Sequence, residues 1–335
     1  MRKRRRVNMK GEMVPVTDRV VVLGDRQGPP ALITAAGKAA AFAYAEFFGA
    51  EIESPHTYRA YRAAVDRFLA WCAERGVALT QVSPVVVGEY IRKQLVGSKP
   101  TKKLHLSALR HFFDQLVLRH AILLNPAASV RAPKYSVVEG KTPALSVEQV
   151  RRVLATIDTS HVVGLRDRAI IAILIYTAAR VGAVAKLRLE DYAPDGNQWW
   201  FRFDEKGGKA RTIPARYDLQ SYVETYLAAA GIARDPGETP LFRSAVRKTK
   251  VLTPLPMTAN DIYRMVKRRL QDAGLPARQL SCHSFRATTI TDLLTQGVPL
   301  EDVQYLAGHA DPRTTRLYDR RQKQVTRNIV ERISV

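Results

Sequence analysis

The chain has 335 residues, 46% of them hydrophobic, enough for two domains with their own cores and too many for a disordered chain. Lys and Arg number 53 against 31 Asp and Glu, and the formal charge of +22 favours a polyanionic partner, of which nucleic acid is the commonest. Two cysteines exclude a disulfide framework, and the apolar stretches are too short to cross a bilayer. We therefore expect a cytoplasmic protein without membrane contact, although a ribosome-associated protein or a basic surface with no partner would also fit the charge.

The first part of the chain predicts an arm followed by a small helical domain. Residues 1–30 begin with a basic run and end in Gly28-Pro29-Pro30, which indicates a flexible arm. Ser54-Pro55 and Ser83-Pro84 are typical of a helix N-cap followed by proline in the first turn. Apolar residues recur at helical spacing over 34–48, after Ser54, after Ser83 and over 99–120. Residues 31–130 are thus expected to form an all-helical domain.

A second domain is predicted beyond a linker. Residues 131–143 contain Pro, Gly and Lys with little periodicity, which indicates an interdomain linker. In residues 144–335 a helix is predicted from Ser146, and a strongly apolar helix over 167–185 is expected to end near Arg180. Two stretches alternate like strands around a Gly-containing turn, and from Tyr217 onward the pattern is helical again; the stretches are Trp199–Phe203 and Ala210–Pro214. The predicted fold class is mainly α with a small β-sheet.

Four short segments of the second domain stand out by their Arg, Lys, His and Tyr residues. In chain order they are Thr177-Ala-Ala-Arg180-Val-Gly-Ala183, Glu205-Lys206-Gly-Gly-Lys-Ala-Arg-Thr-Ile-Pro214, His283-Ser-Phe-Arg286, and Leu306-Ala-Gly-His309 continuing to Tyr318-Asp-Arg320. Taken singly, each of these residues could be an ordinary surface or core residue. Together and in this order, they resemble the tyrosine recombinase (phage integrase) family, in particular its Xer-like site-specific recombinases. The resemblance covers roughly residues 34 to 335.

The resemblance implies a fold, an active site and a reaction. The fold would be an all-helical SAM-like core-binding domain followed by a tyrosine-recombinase catalytic domain. The activity would be site-specific DNA recombination or integration, in which strands are cleaved and rejoined through a 3′-phosphotyrosine intermediate without metal, ATP or another cofactor. The active-site residues implied are Arg180, Lys206, His283, Arg286, His309 and the nucleophile Tyr318.

The residue types agree with this chemistry when they are considered independently. Cleaving a phosphodiester without metal requires positive charge around phosphorus, and an arginine fork can donate two parallel hydrogen bonds to phosphate oxygens. His283 and Arg286 are three residues apart and would share one helix face, so His283 could relay a proton while Arg286 holds the phosphate. Lys206 in its Gly turn could protonate the leaving 5′ oxygen, and Tyr318 could attack phosphorus.

Assembly is also implied by the resemblance. The partners would be double-stranded DNA and further copies of the chain, as a tetramer on two DNA sites, with accessory DNA-bending proteins possible. At the C-terminus, Val325, Ile329 and Ile333 are spaced by four, which predicts an amphipathic helix over 325–335 that needs a groove. The family uses such a helix to link neighbouring protomers.

Alternatives exist at three positions near the site. Lys209 and Arg211 compete with Lys206 for the role of the lysine, which the family motif places at the first Lys of the turn. The acidic residue that the family usually has three positions after the first Arg is Ala183 here, so Asp204 or Glu205 is expected to orient the site instead. Cys282 adjoins His283, but no spacing supports a Cys–His nucleophile pair.

Three other functions would share part of this sequence pattern. A type IB topoisomerase-like enzyme would use similar Arg, Lys, His and Tyr chemistry, but the short block from His283 to Tyr318 and the helical first domain favour recombination. A catalytically silent DNA-binding protein would not need all six residues. A metal-dependent nuclease or transposase would need clustered carboxylates, whereas the Asp residues here are scattered.

Overall fold

A computed structural model of the protein describes residues 6–7, 13–14, 28–134, 142–205, 209–247 and 249–319. The chain divides into two compact units, Met1–Ser136 and Val137–Val335, each with its own core. Lys206, the predicted helix over 325–335, most of the predicted arm and the middle of the predicted linker lie outside the described residues. Among the helices that are described, none has the length and apolar character needed to cross a membrane.

The first unit is helical, as predicted. The elements of its described residues are, in chain order, β1 Arg6–Val7, β2 Met13–Val14, α1 Ala31–Ala35, α2 Lys38–Glu46, π-turn Phe47–Glu51, α3 Pro55–Glu74, 3-10 turn Leu79–Gln81, α4 Pro84–Glu89, π-turn Tyr90–Gln94 and α5 Lys99–Leu118. The Ser54 and Ser83 hydroxyls accept hydrogen bonds from the first turns of α3 and α4, which confirms both predicted N-caps. The helix predicted over 34–48 is instead two helices, because Gly37 has a φ of 98°, a left-handed conformation that favours glycine.

The core of the first unit is built from aromatic side chains. Phe47, Phe68, Phe112 and Phe113 are fully buried, and the rings of Phe68 and Phe113 meet edge to face with their centroids 5.9 Å apart. Burying a large apolar side chain stabilises the fold by about 1.5–3 kcal/mol, so this cluster holds α3, α5 and the π-turn after α2 together. Most apolar residues singled out in these helices are therefore buried, and Phe42 and Leu104 are the exposed exceptions.

The second unit is a helical domain around one small antiparallel sheet and a separate hairpin. Its elements are α6 Val147–Ala155, α7 Val162–Tyr176, α8 Val181–Val184, 3-10 turn Leu189–Asp191, β3 Tyr192–Asp195, β4 Gln198–Glu205, β5 Lys209–Pro214, α9 Tyr217–Ala230, β6 Arg243–Ala245, β7 Leu252–Pro256, α10 Ala259–Asp272, α11 Cys282–Thr295, α12 Leu300–Ala307 and α13 Pro312–Arg316. The sheet order is β3-β4-β5, and β6 pairs with β7. The mainly α fold with a small sheet is thus confirmed.

The register of the sheet decides which side chains face the core. Phe201 pairs with Ile213, and Phe203 pairs with Arg211. All four side chains are buried, whereas the alternating residues Arg202 and Thr212 are exposed. Arg211 therefore occupies a core-facing position among apolar residues, with its guanidinium 5.3 Å from the centre of the Phe203 ring.

Two predictions for the second unit were wrong in detail. The apolar helix does not reach Arg180: α7 ends at Tyr176, and Arg180 follows as the N-cap of the separate short helix α8. The region after Tyr217 is not wholly helical, because β6 and β7 form a hairpin. Its strands are short, and β7 contains two prolines, which are depleted in strands, so its pattern gave no strand signal.

Candidate active site

Arg180 is positioned by the break between α7 and α8. The Thr177 hydroxyl donates to the Ile173 carbonyl at 2.7 Å, and Ala178 then adopts a φ of 49°, which turns the chain out of the helix. This conformation is uncommon for a residue with a Cβ atom and marks a backbone held by its surroundings. Arg180 has an exposed side chain, and its Nη2 donates to the Gly308 carbonyl at 3.3 Å.

Helix α11 presents His283 and Arg286 within its first two turns. Arg286 is only 1% exposed, and its two terminal nitrogens donate to the carbonyls of Ala178 and Ala307, the latter at 2.5 Å. His283, one turn earlier, is exposed, although its neighbours Cys282 and Ser284 are buried. The predicted pair is therefore on one helix, with one member at the surface and the other in the core.

His309 and Tyr318 lie at the two ends of a tight turn around α13. Gly308 ends α12 with a φ of 61°, which lets the chain reverse, and His309 Nδ1 lies 2.9 Å from the Thr315 hydroxyl. The His309 ring stacks on the Tyr318 ring with centroids 5.8 Å apart and planes 12° from parallel. Tyr318 is 7% exposed, so its ring is packed and its position is fixed.

The Tyr318 hydroxyl points at His283. The distance between Tyr318 Oη and His283 Nε2 is 2.8 Å, a normal hydrogen-bond length, and the two rings meet edge to face. A neutral imidazole protonated on Nδ1 offers Nε2 as an acceptor, and the phenol then donates to it. This geometry allows the hydroxyl proton to pass from Tyr318 to His283.

Burial and the surrounding cations lower the pKa of both histidines. Desolvation, followed by the charges of Arg286 and Arg180, lowers the pKa of His283 below its usual value of 6.5. The same causes, led by burial, lower the pKa of His309 to about 3. Neutral imidazoles can serve as a proton acceptor and as an N–H donor, respectively. The cluster therefore combines fixed positive charge on arginine with neutral groups able to exchange protons.

Five of the six predicted residues are brought together, namely Arg180, His283, Arg286, His309 and Tyr318. Lys206 lies outside the described residues, in the turn between β4 and β5. Cys282 is buried, and burial raises the pKa of its thiol to about 12, so it stays protonated and is a poor nucleophile.

Asp204 does not take the place of the acidic residue that is missing at Ala183. Ala183 lies partly buried in α8, and Asp204 is exposed and lines a surface cleft with Lys186, Arg188 and Arg202. The Glu205 side chain lies outside the described part. In the sequence, Arg211 is only a rival of Lys206 for the lysine role, and no motif marks Thr315, which holds the His309 ring. The alternation of buried and exposed residues along β5 was the signal that could have placed Arg211 inside.

Comparison with known proteins agrees with the fold and with this cluster. Residues 143–325 match the phage integrase family, and residues 43–120 match the phage integrase N-terminal SAM-like domain. Tyrosine recombinase XerC 2 of Ralstonia nicotianae is 30% identical over 276 residues, covering 79% of this chain and 76% of the relative. Tyrosine recombinase XerD of Shewanella oneidensis is 30% identical over 272 residues, covering 79% and 86%.

A solved structure shares the fold. XerH site-specific recombinase bound to a palindromic difH substrate, in a post-cleavage complex, superposes with a TM-score of 0.66 at 20% identity, covering 89% of this chain and 84% of XerH. The chain belongs to the phage integrase family, the tyrosine recombinases, which are enzymes that cleave and rejoin DNA. The family resemblance read from the four motifs is therefore confirmed.

Proposed function

We propose that Tyr318 is the nucleophile of this recombinase and that His283 accepts its proton. The observation that supports this most directly is the 2.8 Å separation of Tyr318 Oη and His283 Nε2 beside neutral His309 and two arginines. Attack of the phenolic oxygen on phosphorus forms a phosphotyrosine bond to the 3′ end, breaks the bond to the 5′ oxygen and moves the phenolic proton to His283. The 5′ oxygen leaves as a hydroxyl after taking a proton from a general acid, which we assign to Lys206.

The cations around Tyr318 would stabilise the charge on the phosphate as it reacts. Arg180, with its exposed guanidinium, would hold the non-bridging oxygens, and Arg286 would supply a second, deeper positive charge. The Thr315 hydroxyl can donate to His309 Nδ1, which leaves the Nε2 proton of His309 for a phosphate oxygen. These groups are already in place, so little reorganisation accompanies cleavage.

Rejoining would be the reverse of cleavage. A 5′ hydroxyl attacks the phosphotyrosine, the phosphorus bond to Tyr318 breaks, and the proton returns from His283. One phosphodiester is replaced by one phosphotyrosine ester and then restored, so the energy of the bond is conserved. We propose that neither ATP nor a metal ion is required.

The substrate we propose is duplex DNA recognised at specific sites. Residues 31–130 would form the core-binding domain, 131–143 the linker and 144–335 the catalytic domain. The charge of +22 favours phosphate contacts, which make binding salt-dependent. The neighbour XerH was solved on its difH substrate. We further propose a tetramer on two DNA sites linked by residues 325–335, accessory DNA-bending proteins, and action in the cytoplasm.

The nucleophile can be tested on DNA sites recovered by binding selection from a random-sequence pool. A duplex nicked near the cleavage position traps the covalent complex, because the short released fragment diffuses away. We expect an adduct on a denaturing gel for the wild type and none for Tyr318→Phe, with DNA binding retained. Tyr305→Phe is the matched control, since Tyr305 is 70% exposed on α12. An adduct in Tyr318→Phe would refute the assignment.

A further inference from the structure

Two buried arginines bridge the same two backbone segments. Arg211 Nη1 donates to the Thr177 carbonyl at 3.1 Å and also to the Leu306 carbonyl. Arg286 donates to the next carbonyl along each segment, those of Ala178 and Ala307. Arg211, on strand β5, thus makes the same pair of contacts as Arg286, one residue earlier in each segment.

The two bridged segments lead directly into the active site. Thr177 and Ala178 precede Arg180, and Leu306 and Ala307 precede His309. The carbonyls of Thr177 and Leu306 lie at the C-terminal ends of α7 and α12, where the helix supplies no N–H partner and the dipole is negative. Positive donors are favoured at such ends, and Arg211 donates to one carbonyl at each of the two helix ends.

Burying a charged side chain at this position costs free energy unless its hydrogen bonds compensate. Arg211 is 6% exposed and sits at a position of β5 where its neighbours on the same face are Phe203 and Ile213. An apolar residue would fit the alternation of the strand without the cost of desolvating a guanidinium. Both carbonyls accept from Nη1, and the rigid plane of the guanidinium holds that nitrogen between the two segments, whereas a lysine ammonium ends a flexible chain. The residue type therefore matches the task of holding two carbonyls in a fixed relation.

From these contacts, and resting on the function proposed above, we propose that Arg211 is a positioning residue that holds the segments leading to Arg180 and His309 in a fixed relation. Here backbone carbonyls orient Arg286, and Arg211 fixes the segments to which those carbonyls belong. The same two segments set the place of Arg180 and His309. Arg211 acts through them and does not touch the phosphate.

Loss of Arg211 would let the two segments move relative to the sheet. The side chains that exchange protons and the nucleophile would all remain, but they would be less well aligned with the phosphorus. Misplacement of reacting groups by about 1 Å can cost roughly 10²-fold in rate. We therefore expect a lower rate constant for cleavage at saturating DNA, with unchanged affinity for DNA.

The test compares Arg211→Met with Arg202→Met. Arg202 lies on the next strand, is exposed and pairs with Asp191, so its loss removes an arginine from the same sheet without touching the bridged segments. Nicked substrate is cleaved in a single turnover, and both the rate constant and the final fraction of adduct are measured. A purely structural defect lowers the fraction of active enzyme, whereas a positioning defect lowers the rate constant and leaves the final fraction unchanged.

A second substrate separates positioning from acid catalysis. With sulfur in place of the bridging 5′ oxygen, the leaving group departs as a thiolate and needs no proton. We expect Arg211→Met to cleave this substrate as slowly, relative to wild type, as it cleaves the normal one, about 10²-fold down. Restoration to the wild-type rate would overturn the proposal, because Arg211 would then be the general acid.

The remaining outcomes are equally decisive. An unchanged rate constant in Arg211→Met, or a loss confined to the final fraction, would overturn the proposal. If Arg211→Met does not fold, Arg211→Lys keeps the charge, and a wild-type rate constant in that variant would overturn it as well. Failure of the proposed function is distinguishable, since the wild type itself would then form no adduct at Tyr318.

Discussion

His283 gives the most informative single perturbation of the site. In His283→Gln the side chain can still hydrogen-bond to the Tyr318 hydroxyl, 2.8 Å from Nε2 in the wild type, but it can no longer take up a proton. General acid–base catalysis contributes about 10²–10⁴-fold in rate, so cleavage should slow by that factor, a barrier increase of roughly 3–5 kcal/mol. DNA affinity should change little.

The pH dependence of the cleavage rate tests whether His283 acts as the base. A base must be neutral, and the pKa of His283 is lowered from 6.5 by desolvation and by Arg286 and Arg180. The wild-type rate should therefore hold as the pH falls through 6.5 and decline only below the lowered pKa, as His283 becomes protonated. His283→Gln should lose this acid limb, whereas His56→Gln, an exposed histidine of α3, should keep it.

Single-turnover cleavage of a nicked duplex across this pH range measures both effects. The assignment of His283 as the base is refuted if His283→Gln cleaves at the wild-type rate. It is equally refuted if the wild-type rate rises on acidification.

Three further expectations concern cofactors, stability and assembly. Cleavage should persist in excess EDTA, because the cations assigned to the phosphate are side chains; activity restored only by a divalent metal would contradict this. Burial, then Arg286 and Arg180, lower the pKa of His309 to about 3. Below pH 6.5 the unfolded state therefore binds more protons than the folded state. The free energy of unfolding should fall on acidification by at most about 1.4 kcal/mol per pH unit. Urea titrations at several pH values should show that the free energy of unfolding depends less on pH in His309→Asn than in the wild type. An unchanged pH dependence would show that His309 is not the group responsible. Deleting residues 325–335 should spare binding to one half-site but sharply reduce cooperative filling of paired half-sites in gel shifts, because each large aliphatic side chain buried in trans contributes on the order of 1.5–3 kcal/mol. Undiminished cooperativity would rule out docking in trans.

The residues of the site were predictable because each motif is contiguous in the chain. The spacing of His283 and Arg286 already placed both on one helix, and α11 confirms it. The segment from His309 to Tyr318 includes the Asp311-Pro312 start of α13, whose Asp side chain accepts from the Arg313 N–H. Local sequence is sufficient for such features, since caps and helical periods depend on near neighbours.

The break before Arg180 could not be predicted in the same way. The sequence from Ala169 to Ala179 is apolar, without glycine or proline, and favours a continuous helix. The left-handed Ala178 is held by a contact from Arg286, which lies 108 residues away in the chain. The bridging role of Arg211 depends on similar long-range contacts, to Thr177 and Leu306. Tertiary contacts of this kind override local propensity and are invisible to periodicity.

The identity of the residue that becomes bonded to DNA tests the account most directly. Covalent complex formed on a nicked duplex can be digested with nuclease and trypsin, and the nucleotide-bearing peptide sequenced by mass spectrometry. The account predicts one modified residue, Tyr318, linked through its phenolic oxygen to a 3′ phosphate, with a free 5′ hydroxyl on the released strand. A nucleotide on another residue, a 5′-linked phosphate, or cleaved DNA without any protein attached would contradict it.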